Sequence, residues 1–153
     1  FLLYFDKENF DAKSQKINQV IFGKKYIYIV SNICLLGDVS GDKNDHSWCY
    51  KNRDTKETNY IDNITDVSEQ NIRDFAGIIN ANHEIIVAIN VVPNECQINI
   101  SNVNKVDSFV VHYSSLKKLI KKIENRDVSP LDKNQLEEHI NLMLNTKWNK
   151  KKA

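Results

Sequence analysis

The chain reads as an α/β domain with a mixed central β-sheet flanked by helices. Three observations predict this. Residues 17–22 and 26–30, rich in β-branched and aromatic side chains, stand on either side of Gly23-Lys24-Lys25, the pattern of an antiparallel hairpin. Residues 84–92 form the most apolar run, closed by Pro93-Asn94, which suits a strand buried on both faces. Two further stretches, beginning near Asp66 and Ser114, carry apolar residues at helical spacing. Strands interleaved with helices in this order make a mixed sheet with helical cover.

The elements follow in order. Phe1-Leu2-Leu3-Tyr4-Phe5 is too short to cross a bilayer, and residues 6–16 are polar. Residues 1–16 are therefore expected to be a linker from a longer protein whose preceding segment is missing. The hairpin comes next, and Cys34-Leu35-Leu36 either continues its second strand or begins a third. Residues 37–47 hold Gly37, Gly41 and several Asp and Asn, the composition of a loop. Trp48-Cys49-Tyr50 opens a short strand, and residues 57–61 return antiparallel to it.

A helix is expected from Asp66, with Asp66 and Glu69 spaced as in a capping box. Its stripe is Ile72, Phe75, Ala76 and Ile79, and it ends at 80–82. Beyond the apolar strand, residues 97–100 and 108–112 read as short strands. Ser114 or Ser115 caps a helix with Leu116, Leu119, Ile120 and Ile123 on one side. Ser129-Pro130 is expected to open the last helix, Ser at the N-cap and Pro at N1, with Leu136, Ile140, Met143 and Leu144 as its apolar face. The domain is thus expected over 17–146, followed by a basic tail at 147–153.

Composition narrows the function classes. A chain of 153 residues fits one domain. Its 21 basic and 20 acidic residues give a net charge of +1, which argues against recruitment to nucleic acid or membrane by bulk charge but permits a local basic face. Cys34, Cys49 and Cys96 are an odd, widely spaced set, read as reduced thiols in an intracellular protein. There is no CxxC pair or Cys/His cluster to suggest zinc. Abundant Asn, Lys and Ile suggest an AT-rich bacterial genome. The expected location is cytoplasmic, with membrane tethering through the missing N-terminal part as a variant.

The stretch from Asn18 to Val30, then Gly37, Trp48 and the helix bearing Gln70-Asn71, is similar to the nuclease-related domain (NERD) family, grouped with restriction-endonuclease-like PD-(D/E)xK folds. The resemblance covers about residues 15–125. It implies a restriction-endonuclease-like core with an acidic residue before the hairpin, Glu-x-Lys at the end of its second strand, and a helix start of the form Asn-Pro-x-x-Gln. In this chain the acidic position holds Asn18, Glu-x-Lys falls on Ser31-Asn32-Ile33, and Asn-Pro falls on Asp66-Val67; Gln70 is retained. Metal-dependent phosphodiester cleavage needs carboxylates to hold Mg²⁺ and a cation to stabilise developing charge. The resemblance therefore implies an inactive site that needs no cofactor.

The function expected is that of a degenerate nuclease-related domain acting as a nucleic-acid-binding or interaction module. DNA, or other domains of the same longer chain, are the implied partners. Candidate binding residues are Lys24 and Lys25 in the hairpin turn, Gln70, and Lys117, Lys118, Lys121 and Lys122 opposite an apolar helix face. Such lysines could meet phosphates; a merely solvated face has the same composition. Two alternatives stand beside this reading. One is an active Mg²⁺-dependent DNA endonuclease with relocated ligands, for which Asp38, Asp42, Asp45 and His46 are the nearest cluster. The other is a purely structural protein–protein module. His83, His112 and His139 are scattered, and no phosphate loop, GxSxG or HExxH occurs.

Overall fold

The computed structural model describes Leu2–Tyr4 and residues 17–145. Phe1, residues 5–16 and residues 146–153, which include most of the expected linker and the basic tail, lie outside the described residues. The described residues form nine strands and three α-helices in the order β1 (Leu2–Tyr4), β2 (Gln19–Phe22), β3 (Ile27–Asn32), β4 (Gly37–Ser40), β5 (Ser47–Asn52), β6 (Thr58–Asp62), α1 (Ile64–Ile79), β7 (Ile86–Val92), β8 (Gln97–Asn99), β9 (Ser108–His112), α2 (Leu116–Glu124) and α3 (Lys133–Leu144). The α/β class, with mixed sheets flanked by helices, is as expected.

The expected hairpin forms, with Val20 opposite Ile29 and Phe22 opposite Ile27, so that its second strand begins one residue later than the sequence suggests. β7 lies parallel to β3, all seven of its residues buried. It occupies an inner position in the sheet order β1-β2-β3-β7-β9. Alternation divides the core in two. Ile27, Ile29, Ile86 and Ala88 face Ile72, Phe75, Ala76 and Ile79 of α1, with Met143 of α3 closing the cluster. Tyr28, Val30, Val87 and Ile89 face the other way, onto Leu116, Leu119, Ile120 and Ile123 of α2. α1 and α3 thus cover one face of the sheet and α2 the other.

One central sheet was the expectation, and the described residues form two. β4, β5, β6 and β8 form a second sheet, ordered β6-β5-β4-β8. Its core gathers Leu35, Val39, Trp48, Ile64 and Val110. Gly37–Ser40 is therefore a strand and not loop. It alternates buried residues with half-buried Asp38 and exposed Ser40, but only over four positions, too few for a periodicity signal against its Gly and Asp. Gly37 is needed there because a Cβ would overlap the Lys51 carbonyl oxygen across the pair. Residues 97–99 likewise join this sheet, parallel to β4.

Other boundaries differ. Leu2–Tyr4, expected within the linker, pairs antiparallel with β2. α1 begins at Ile64, two residues before Asp66, because Asn63 is the N-cap. Its Oδ1 accepts from Thr65 N at 2.9 Å and Thr65 Oγ1 at 2.7 Å. Its Nδ2 donates to the carbonyls of Lys43 and Asp45. The cap is buried, so it serves as a tertiary anchor as well as a helix start. α3 starts at Lys133 rather than Ser129, capped by Asp132, whose Oδ1 accepts from Asn134 N at 3.0 Å. The segment before it is held differently: Leu131 N–H donates to the Lys24 carbonyl. Met143 is buried on α3, whereas Leu144 is exposed. Among the described residues, no helix is long and apolar enough to cross a membrane.

Candidate functional site

The open end of the β2–β3 hairpin is where the sequence motif positions meet. Asn32 N–H donates to Asn18 Oδ1 at 2.8 Å, and Asn18 N–H donates to the Val30 carbonyl. Ser31 is buried beside Asn90, its register partner on β7. Ile33 packs against the core of the second sheet. The group is neutral: two amides, a hydroxyl and an aliphatic side chain. It offers no carboxylate, and its one amide oxygen with a defined role already accepts a backbone N–H. These residues do not fit a Mg²⁺ site.

Beneath α1 lies a buried polar group that the sequence did not single out. Asn90 Nδ2 donates to Ser68 Oγ at 2.6 Å and to the Phe109 carbonyl at 3.1 Å. Ser68 in turn donates to the Ile64 carbonyl at 2.8 Å. The group ties β7, β9 and α1 together, and burial makes each bond costly to break. A lone Asn inside the most apolar run was the available signal, because a polar residue there must find partners. Gln70 takes no part. It is exposed on the outer surface of α1, donating to Asp74 Oδ1 and accepting from Arg73 Nη2.

On the opposite face, Lys117, Lys118, Lys121 and Lys122 are all exposed along α2, as the apolar spacing required. Among the described residues none of them forms an ion pair; the pairs found involve His46, Arg53 and Lys105. Glu124, the acidic residue of this helix, is engaged elsewhere. Its carboxylate accepts from Lys24 N at 2.7 Å and Lys25 N at 3.3 Å, clasping the hairpin turn. A Cβ on Gly23 would collide with it. Lys25 Nζ donates to the Arg126 carbonyl at 2.6 Å, so Lys25 holds the turn while Lys24 is exposed. The Arg126 guanidinium lies over the Tyr26 and Phe109 rings and donates to the Val106 carbonyl.

The structure thus brings the hairpin turn and the C-terminal end of α2 together and leaves Gln70 on the far face. Burial, with the Glu124 carboxylate next in weight, pushes the Tyr28 phenol well above the ordinary tyrosine range. The carboxylates of the Asp42–His46 loop serve its own turn, while its carbonyls hold Asn63. Asp45 Oδ2 accepts from Asp42 N, Asp42 Oδ1 accepts from Asn44 N, and the Asp42 carbonyl accepts from Trp48 Nε1. Among the described residues, no three His, Cys, Asp or Glu side chains converge as a metal site. The three cysteines are free thiols, with Cys34 exposed and Cys96 buried. Burial, reinforced by Asp38, raises the Cys96 thiol pKa, the opposite of what a nucleophile needs. The chain matches no protein-family model, no curated protein and no solved structure.

Proposed function

We propose that the chain is a catalytically silent domain of the nuclease-related type, on a restriction-endonuclease-like core, that binds nucleic acid through the lysine face of α2. The observation that carries this is the pairing of Asn18 with Asn32 at the open end of the hairpin. Asn18 lies beside residues 31–33 there, and on the alignment that the resemblance gives, an amide and a hydroxyl stand at the two acidic positions and Ile33 at the lysine position. Phosphodiester cleavage has no metal ligands to work with. Phosphate binding needs only cations, and α2 offers four exposed lysines that form no ion pair among the described residues. Lys24 adds a cation at the hairpin end of the same face.

The test joins binding and cleavage. If the four lysines of α2 each meet a phosphate, DNA affinity should fall about a hundredfold between 50 and 200 mM salt. Lys117→Glu combined with Lys121→Glu should flatten that dependence. Supercoiled plasmid should stay intact with Mg²⁺ or Mn²⁺, as with EDTA. Metal-dependent nicking would overturn the silent-site reading, and salt-insensitive or undetectable DNA binding would overturn the role given to α2.

A further inference from the structure

We propose that the DNA bound here is single-stranded, with Tyr113 as the surface on which a base stacks. The inference rests on the nucleic-acid reading above and narrows it. Tyr113 opens the 3₁₀ turn Tyr113–Ser115 that runs into α2, and it is 69% exposed. Lys117 follows it by about one helical turn, with Lys118 and Lys121 beyond.

The ring stands on a fixed base. Ser114 N–H donates to Asn94 Oδ1 at 3.1 Å. His112 Nε2 lies 2.7 Å from the Cys96 carbonyl oxygen. Both neighbours of Tyr113 are therefore tied to the connection between β7 and β8, so little chain entropy is lost when a ligand lands on the ring. An exposed aromatic ring followed by exposed lysines is the combination that holds single strands: lysines follow the backbone while the ring takes a base face. In a duplex the base faces are already stacked on each other, and the ring has nothing to gain.

Fluorescence anisotropy with labelled oligothymidylate, oligouridylate of the same length and a DNA duplex tests this on the full chain. Tyr113→Ala should weaken oligothymidylate binding about 5- to 150-fold, the range for losing one stacked base, and leave duplex binding unchanged. Tyr113→Trp should restore or exceed the original affinity, which a merely structural tyrosine would not require. Thermal melts check that both variants fold. Unchanged oligothymidylate binding by Tyr113→Ala, or a preference for duplex, would overturn this inference alone while lysine-dependent binding persisted. Tighter binding of oligouridylate would overturn the assignment to DNA. Absence of binding to all three probes would overturn the nucleic-acid reading as well.

Discussion

On one face of the five-stranded sheet, α1 engages several of its polar residues within the fold. Ser68 bonds Asn90 and the helix backbone, Gln70 bonds Asp74 and Arg73, and Glu69 meets Lys105 at 2.9 Å. On the other face, α2 leaves four lysines without an ion pair among the described residues and sends its glutamate to the hairpin turn. Lys121 and Lys122 suit the last turn of a helix, but Lys117 and Lys118 oppose the macrodipole in the first. Lys117 with Lys121, and Lys118 with Lys122, are like-charge neighbours one turn apart, which is mildly destabilising. Ser68, Glu69 and Gln70 of α1 have partners within the fold. The charges of α2 work against stability, and that contrast is the physical ground for proposing an anionic ligand on this face.

The strongest way to break the comparison is through the core of α1. Phe75 is fully buried between the helix and the sheet, so Phe75→Ala should cost about 3–5 kcal/mol in denaturant unfolding. A cost under about 1 kcal/mol would mean that α1 is not a principal cover of the sheet. Next comes the polar tie. Asn90→Ala removes the partner of Ser68 and leaves the Phe109 carbonyl without that donor, for an expected loss of about 1–3 kcal/mol. An unchanged unfolding midpoint would show the tie to be dispensable.

The α2 face has its own signature in alkali. The folded state holds the Tyr28 phenol above its ordinary pKa, so it favours the neutral form. That contribution is intact below about pH 10, the usual tyrosine value, and is lost as pH rises beyond it towards the folded-state pKa. Stability should therefore decline above pH 10 more steeply in the natural chain than in Tyr28→Phe. Equal slopes would remove Tyr28 from the account.

Smaller effects sharpen the contrast. Lys117→Glu places an acid in the first turn and creates a Glu–Lys pair with Lys121. It should raise stability by about 0.5 kcal/mol while weakening DNA binding. Stability and binding that fell together would contradict a functional origin for the charge. Last, Gln70→Ala should change stability by less than about 0.5 kcal/mol and leave binding untouched, because Gln70 is exposed on the other face of the sheet. A marked loss of binding would relocate the interface to α1.

The hairpin, the buried strand β7 and the apolar stripes of α1 and α2 were legible because each is a local pattern with a period of about 2 or 3.6 residues. The exposure of the α2 lysines followed from that same periodicity. Short elements were not legible. β4 spans four residues and contains Gly37 and Asp38, so its membership of a second sheet depends on β5 and β8 being there to pair with it. The N-cap was misplaced for a related reason: Asn63 is chosen by its bonds to the 43–45 loop as well as by the helix it starts.

By itself, the sequence determined the α/β class, the presence of the hairpin and the sides of the helices that face water, since backbone geometry sets side-chain direction within each element. The tertiary structure alone decided that there are two sheets, that Glu124 clasps the hairpin turn about a hundred residues away, that Asn90 meets Ser68, and that Gln70 and the lysines lie on opposite faces. Those pairings join segments far apart in the chain, and their energy is set by burial and partner geometry, which no local pattern of residues encodes.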